Sequence, residues 1–472
     1  MVESASLCAV ALAHGFRAPV PSGGRADTTV RGVSAPSIPV RRTSVAGSAI
    51  GIIGSTIVTL AIGYVASIVL ARSLGPSGRG LVAVIQSDVV LVVALAGLGT
   101  PTAITYFASR RERLQPALSG FALVYAGGLA ILAALGVLFA GGWLADNQGE
   151  GFDPRLWWLG AALVPLMYYE YFVASLLNAR RAYRLQNILN ILGRVGTLAA
   201  TLLLVTGLGW GVAGGLIAAS MISLVRIGGC LPLVARIGLR IPAPHVVWAT
   251  IHYGWRVAIG QLFRFFSGRF DILVLSLLAP LATVGYYAVA QTVAEIVLIV
   301  PQSFGWVVLP MVAAGEAYRA APALRLVGTL GLLGVLAVAI LGPALILLGF
   351  GSDFRPALTP FFILLPGIWM LGMANICGSV LSGKKRPGTG SLLAGGAAGA
   401  TLVLDLALIP PFGIVGASVA ASSAYALYGI CSLVLVSRAL GTPAYQLLFV
   451  TLGEARGYWK AAATRLAMLR HE

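Results

Sequence analysis

The chain has 472 residues, of which 58% are hydrophobic and only 10% charged, with a formal net charge of +17 and a mean hydropathy of +0.92. Soluble domains carry about 25% charged residues, so too few charges are present to cover a water-soluble surface. The excess of basic residues follows the order of apolar runs, as set out below, and therefore does not mark nucleic-acid binding.

Residues 1–44 are rich in Ser, Pro, Gly and Arg and lack helical periodicity. The apolar LCAVALA (7–13) follows Glu3 where a secretory signal would carry positive charge, so this segment reads as a disordered basic cytoplasmic tail. Beyond it, Val45–Leu70 and Ser119–Leu144 contain no charged side chain at all. About 20 apolar residues suffice to cross the hydrocarbon core as a helix. Without two-residue alternation, such runs are helices and not barrel strands. Twelve spans are expected, near 46–70, 80–108, 118–143, 157–178, 187–206, 212–234, 257–279, 284–312, 326–349, 358–382, 391–410 and 414–437. No polar stretch between them is long enough for a soluble domain, and the longest outer loop, near 144–156, is merely acidic and Gly-containing.

With the amino terminus inside, 24 of the 32 Lys and Arg residues fall on the cytoplasmic side, including Arg110, Arg111, Arg113, Lys384, Lys385 and Arg386. Four fall outside, Arg72, Arg79, Arg155 and Arg355, and four lie within spans. This bias places both termini in the cytoplasm. Cys8, Cys230, Cys377 and Cys431 have no metal-type spacing, and the four histidines lie outside the spans. GSVLSGKK (378–385) approaches a phosphate-binding loop, but Lys385 replaces the Ser or Thr and no strand precedes it. Neither a metal nor a cofactor is expected, and no outer loop is large enough for a polymerase or ligase site.

The chain repeats itself. GLVAVIQ (80–86) matches GYYAVAQ (285–291) at an offset of 205, SLLNARRAYR (175–184) matches SVLSGKKRPG (379–388) at 204, and GVAGGLIAAS (211–220) matches GIVGASVAAS (413–422) at 202. Three matches in order indicate an internal duplication. Each copy holds six spans, an even number, so the copies are parallel repeats related by an axis along the membrane normal. The organisation expected is a tail (1–44), an N-terminal six-helix bundle (45–240), a C-terminal six-helix bundle (241–438) and a basic cytoplasmic tail (439–472).

Charged side chains within spans are costly, roughly 2.5–3.5 kcal/mol each on insertion scales, and face a cavity or a partner. They are Asp88, Glu170, Arg194, Arg226, Arg264, Arg269, Asp271, Glu295 and Asp405. Arg194 and Arg226 fit either a lumenal role or snorkelling to the inner interface, and Asp405 is close enough to the outer end to be interfacial. RFFSGRFD (264–271) concentrates charge in the seventh span. Arg264 and Asp271 are seven apart and share a face, with Gly268 opening room between them, whereas Arg269 points about 140° away. Arginine suits phosphate because its fork donates several charge-assisted hydrogen bonds. Arg264, Arg269, Arg194 and Arg226 are therefore the pyrophosphate-binding candidates. Asp271, Glu170, Glu295 and Asp88 are candidates for coupling or ion pairing.

The Leu-Gly-Pro turn after the first span, GLGTPTAITYFAS (97–109), DILVLSLLAPLATVGYYAVAQ (271–291), VVLPMVA (307–313), FGSDFRPA (350–357) and IPPFGIVGASVA (409–420) together resemble the polysaccharide and O-antigen flippases of the multidrug/oligosaccharidyl-lipid/polysaccharide superfamily. The likeness runs from about 45 to 438. It implies two six-helix bundles forming a V around a central cavity, in an all-α polytopic protein of the bacterial inner membrane. It also implies outward movement of an undecaprenyl-diphosphate-linked oligosaccharide, with polysaccharide polymerase or export machinery as partners and cavity cations on the pyrophosphate. The related lipid II flippases carry an Arg-Asp pair in the first span, which has no charge here; that favours an envelope or exported polysaccharide. A cation-coupled multidrug exporter of the same fold and a membrane enzyme of polysaccharide assembly are the competing readings.

Overall fold

The computed structural model describes residues 45–147, 155–313, 315–384, 387–451 and 453–454, without the side chains of 45–57, 140–147, 261, 264–267, 306–307, 310, 387–389 and 391. The expectations for residues 1–44 and for most of the second tail lie outside these residues. The described residues form helices and turns without strands. The helices are α1 (Val45–Ala96), α2 (Thr100–Arg110), α3 (Gln115–Asn147), α4 (Arg155–Ala179), α5 (Tyr183–Ala200) and α6 (Gly211–Ile237). They continue with α7 (Pro244–Leu278), α8 (Leu281–Ala294), α9 (Ile299–Ala313), α10 (Ala320–Ala344), α11 (Leu358–Gly383) and α12 (Pro387–Leu440).

Among the described residues, nine helical stretches are long and apolar enough to cross a bilayer. Two of them are helix pairs that turn at a glycine: Gly75 (φ 67, ψ −178) within α1 and Gly413 (φ 55, ψ −128) within α12. Positive φ is cheap only for glycine. Pro76 then opens the next helix, where its missing N–H costs nothing. Counting both arms of each pair, and adding the 35-residue α7, gives the twelve crossings expected. The second crossing breaks at Leu98 and Gly99, both with positive φ, before α2. The eighth is interrupted by the 3₁₀ turn Glu295–Leu298 between α8 and α9.

The duplication is visible in the backbone. Gly211 and Gly413, matched in the sequence, both have φ 55. A Cβ on Gly120 would stand 2.0 Å from the Arg240 carbonyl oxygen, and one on Gly328 would stand 2.0 Å from that of Leu448. The two glycines and the two carbonyls are each 208 positions apart. The same holds where the copies meet: a Cβ on Gly80 would lie 1.9 Å from the Leu281 oxygen, and one on Gly285 would lie 2.0 Å from the Pro76 oxygen. Equivalent glycines thus pack reciprocally, backbone on backbone, as small residues permit between membrane helices. A second close crossing joins Gly99 of the N-terminal copy to the Gly254 carbonyl of α7, where a Cβ would stand 2.3 Å away. Buried apolar clusters fill the interior of the helical body.

After α12 the chain docks back on the ninth crossing. Val450 N–H donates to Thr329 Oγ1 at 2.9 Å, and Arg325 Nη1 lies 2.6 Å from Glu454 Oε1. Thr451 and Glu454 cap one another in a box, with Thr451 N to Glu454 Oε2 at 3.1 Å and Glu454 N to Thr451 Oγ1 at 3.4 Å. Burial pushes the Glu454 carboxyl up, but bonds from the Thr451 backbone N–H, Arg325 and the Thr451 hydroxyl outweigh it and hold the group below its ordinary value.

Two outcomes follow from these contacts. Gly285→Val forces the crossing apart and is expected to cost about 1–3 kcal/mol by overpacking. Its Tm in detergent falls by several degrees, whereas Gly228→Ala, which has open space around its Cβ, melts like the wild type. Because the Glu454 carboxyl is lowered on docking, that docking is complete above the free glutamate value of about 4.3 and is lost as pH falls through the lower folded value. The protection of the Val450 and Thr451 amides, as hydrogen exchange corrected for the intrinsic rate at each pH, is expected to fall there, and not at pH 6–8.

Candidate functional site: a cationic cavity within the helical body

A cavity of about 780 Å³ opens between the crossings, walled by both arms of α1, by α4, α5 and α6, and by α7, α8 and α9. Its charged lining is Arg79, Glu170, Arg194, Arg269 and Glu295, among hydroxyls and amides such as Tyr64, Ser67, Gln86, Thr197 and Gln302. A smaller chamber of about 440 Å³ lies beside it, lined by Gly97, Gly99, Pro101, Tyr171 and Ser175, and it shares Arg269 with the first.

The carboxylate on α4 is neutralised in place. Glu170 Oε1 accepts from Arg226 Nη1 of α6, and Ser223, one turn before Arg226, donates to Oε2 at 2.6 Å. Arg226 Nη2 in turn donates to Asn190 of α5. Arg226 therefore neither snorkels nor lines the cavity: its reach is used up on Glu170 and Asn190. Its guanidinium is engaged on both sides, and a buried carboxylate without a cation is far costlier than one with it.

Arg194, one turn beyond Asn190, behaves differently. Its guanidinium extends over Gly63 of the first crossing, where a Cβ would stand 3.4 Å from Nη1. Its Nε has no hydrogen-bond partner among the described residues. Arg79, assigned from the sequence to an outer loop, instead lines the cavity one turn past the Gly75 kink, and its Nε is likewise unpartnered. The kink folds this turn inward, and Gly80 brings the backbone close to the second copy. The signal available in the sequence was a lone arginine between two glycines, at the position where the other copy carries Val284. Arg269 is accessible in both chambers. Among the described residues none of these three arginines enters an ion pair.

The remaining candidates separate. The Arg264 side chain lies outside the described residues, so its pairing with Asp271 does too. Glu295 faces the cavity. Asp88 is half-buried and does not line it. Asp271 is buried, accepting from the Tyr287 hydroxyl and from Ile272 N–H at 2.8 Å. Asp405, expected near the outer interface, is fully buried, and neither carboxylate oxygen has a partner among the described residues. It lies in the arm of α12 before the turn at Gly413, and this arm meets α7 at Gly395, where a Cβ would stand 2.8 Å from the Phe263 ring. No group of three His, Cys, Asp or Glu able to hold a metal occurs among the described residues.

Among the described residues, three guanidinium groups without an ion pair line one cavity, and the guanidinium fork is suited to phosphoryl oxygens. A sequence model described as "Polysaccharide biosynthesis protein" matches residues 45–315, more than half of the chain. The chain belongs to the polysaccharide biosynthesis protein family. Among solved structures, this family member is similar to the lipid II flippase MurJ in an inward closed conformation, with 15% identity, a TM-score of 0.69, and 84% of this chain and 89% of that one covered. It is also similar to an inward-facing multidrug resistance MATE family transporter of the MOP superfamily (12% identity, TM-score 0.62, 81% and 94% covered). A third similarity is to a MOP superfamily transporter from Pyrococcus furiosus whose binding pocket is described as reversed in polarity (11% identity, TM-score 0.54, 83% and 94% covered). At these identities the likeness establishes the all-α polytopic fold. Among curated proteins no sequence match is found.

The polysaccharide biosynthesis protein keeps one buried carboxylate bonded and another unbonded, and these should differ in stability. Tyr287→Phe removes the hydroxyl that Asp271 accepts from and is expected to cost about 1–3 kcal/mol, read as a lower Tm. Asp405→Asn breaks no bond among the described residues and is expected to melt at or above the wild type. Equal losses in both would overturn this assignment.

Proposed function

We propose that the protein is a flippase of the inner membrane, with both termini cytoplasmic. It moves an undecaprenyl-diphosphate-linked oligosaccharide from the inner to the outer leaflet by alternating access, for polysaccharide biosynthesis. The observation that carries this reading is the cavity lined by Arg79, Arg194 and Arg269, none of them paired with a carboxylate among the described residues. The diphosphate would sit among these cations, the sugars in the hydroxyl-lined space, and the polyprenyl tail in lipid. Outward movement of two negative charges down an inside-negative potential gains about 4–5 kcal/mol per 100 mV.

The buried Asp271 and the cavity carboxylate Glu295 are the groups proposed to exchange a cation during the cycle. Asp405 joins them as a carboxylate that a bound cation would satisfy. Asp88 is left without a role, and Glu170 is held by Arg226. Glu295 in the cavity also favours the second reading, a cation-coupled drug exporter. Against it, three free arginines outnumber the one free carboxylate on the cavity wall, which suits an anionic cargo better than a cationic drug.

The test is made in a deletion strain. Lipid-linked oligosaccharides are expected to accumulate as complete units on the cytoplasmic leaflet. Wild type is expected to clear them, and Arg79→Ala or Arg269→Ala to clear them at least tenfold more slowly at equal protein level. Clearance by both variants would leave the arginines a structural role. Unchanged pools with altered drug sensitivity would establish the exporter, and unpolymerised units on the outer leaflet would point to an enzyme.

A further inference from the structure

Glu170 presents a problem for the cavity just described. It is an acidic group on the wall of a site whose working charges are positive, and it shares that wall with Arg194. Arg194 is within electrostatic reach of both Glu170 and Arg226. Charged pairs in a low-dielectric interior attract strongly, so a free Glu170 would draw the Arg194 guanidinium onto itself and withdraw it from any anionic cargo. Arg194 instead reaches the other way, over Gly63.

Three elements hold Glu170 away from it. Arg226 binds Glu170 Oε1 with one Nη and Asn190 of α5 with the other, while Ser223 binds Oε2 at 2.6 Å. Asn190 and Arg194 are four residues apart on α5 and therefore share a face. Arg226 thus spans the interval between Glu170 and the face of α5 that carries Arg194. It both cancels the carboxylate and stands in the gap that Arg194 would have to cross. The side chain is half-buried and its Nε has no partner among the described residues, so both of its hydrogen bonds serve this bridge.

We propose that Arg226 is a positioning residue for substrate binding: by binding Glu170 and Asn190 it keeps Arg194 free for the diphosphate of the cargo. The proposal rests on the flippase reading above, and it assigns Arg226 no contact with the substrate.

The test measures binding of undecaprenyl diphosphate to the full-length protein in detergent, with phosphatidylglycerol as the control lipid. Wild type is expected to prefer the diphosphate. Arg194→Gln is expected to bind it roughly tenfold more weakly, the size of loss that goes with one charge-assisted hydrogen bond, and Arg226→Met is expected to match that loss. The decisive variant is the double Glu170→Gln, Arg226→Met. It contains no carboxylate to capture Arg194 and is expected to bind within about twofold of wild type, a rescue that a merely structural ion pair would not give. The double variant removes both members of the pair and so strands neither charge, and it reports even if Arg226→Met alone fails to fold. Adding Arg194→Gln to it is expected to remove the regained binding. A folded double variant that binds as weakly as Arg194→Gln would overturn the proposal while leaving the flippase reading standing, as would wild-type binding by Arg226→Met. Failure of wild type to distinguish undecaprenyl diphosphate from phosphatidylglycerol would overturn both.

Discussion

A charged side chain placed in hydrocarbon must find either a partner or a polar space, because no water is there to solvate it. That constraint organises the interior. Glu170 is met by Arg226 and Ser223, and Asp271 by the Tyr287 hydroxyl. Arg79, Arg194 and Arg269 enter no ion pair among the described residues and are found where there is room for a ligand. The cavity is therefore the place where this sequence has left positive charge unsatisfied. On the proposed function, a diphosphate cargo would supply the missing partner when it binds and take it away when it leaves.

Alternating access, as proposed, requires that the two copies meet closely and still part. At three crossings the junction is backbone on backbone: Gly80 against the Leu281 carbonyl, Gly285 against that of Pro76, and Gly99 against that of Gly254. These contacts gain dispersion and fit without interdigitation, while side chains join the copies elsewhere, in the Tyr106–Tyr253 stack and in the bonds from Tyr64 and Arg72 to the Thr292 and Leu348 carbonyls. Because Gly80 and Gly285 are equivalent in the two copies, their junction lies on the axis that relates them, where a rotation about that axis moves it least.

Much of this was legible in the sequence. Long charge-free runs fixed the crossings, and the matched stretches at offsets of 202 to 205 anticipated the reciprocal glycine contacts. RFFSGRFD located one cavity arginine, Arg269. Legibility failed where a kink or a partner decides the outcome. Arg79 looked like a loop residue because the turn at Gly75-Pro76 marks an end in sequence, whereas in space it folds the next turn into the cavity. Asp405 is close to a span end in the sequence, a position that says nothing of burial within the protein, and the fold encloses it completely. Arg226 and Arg194 were indistinguishable as lone arginines in apolar helices. Only the contacts of Glu170 and Asn190 separate the residue that holds a carboxylate from the one that is left free.

The duplication makes these differences informative. At the offsets that align the copies, Arg79 corresponds to Val284, Glu170 to Ala374, Arg194 to Ala398 and Arg226 to Tyr428. In the other direction Arg269 corresponds to Tyr64, Asp271 to Ala66, Glu295 to Val90 and Asp405 to Thr201. None of these intramembrane charges is answered by a charge, while Gly80, Gly120 and Gly211 are answered by Gly285, Gly328 and Gly413. Symmetry has been kept where it serves helix packing and lost where it would serve chemistry. The N-terminal copy holds Arg79 and Arg194 together with the pair that keeps Arg194 free, and the C-terminal copy holds the unpaired or hydroxyl-bonded acids. On the proposed function, cargo binding falls to the N-terminal copy and cation exchange to the C-terminal one, with Arg269 reaching the cavity from the acidic copy. A rocking motion that moves the copies against each other would then change the surroundings of both sites at once, and that is the physical basis on which filling one would alter the affinity of the other.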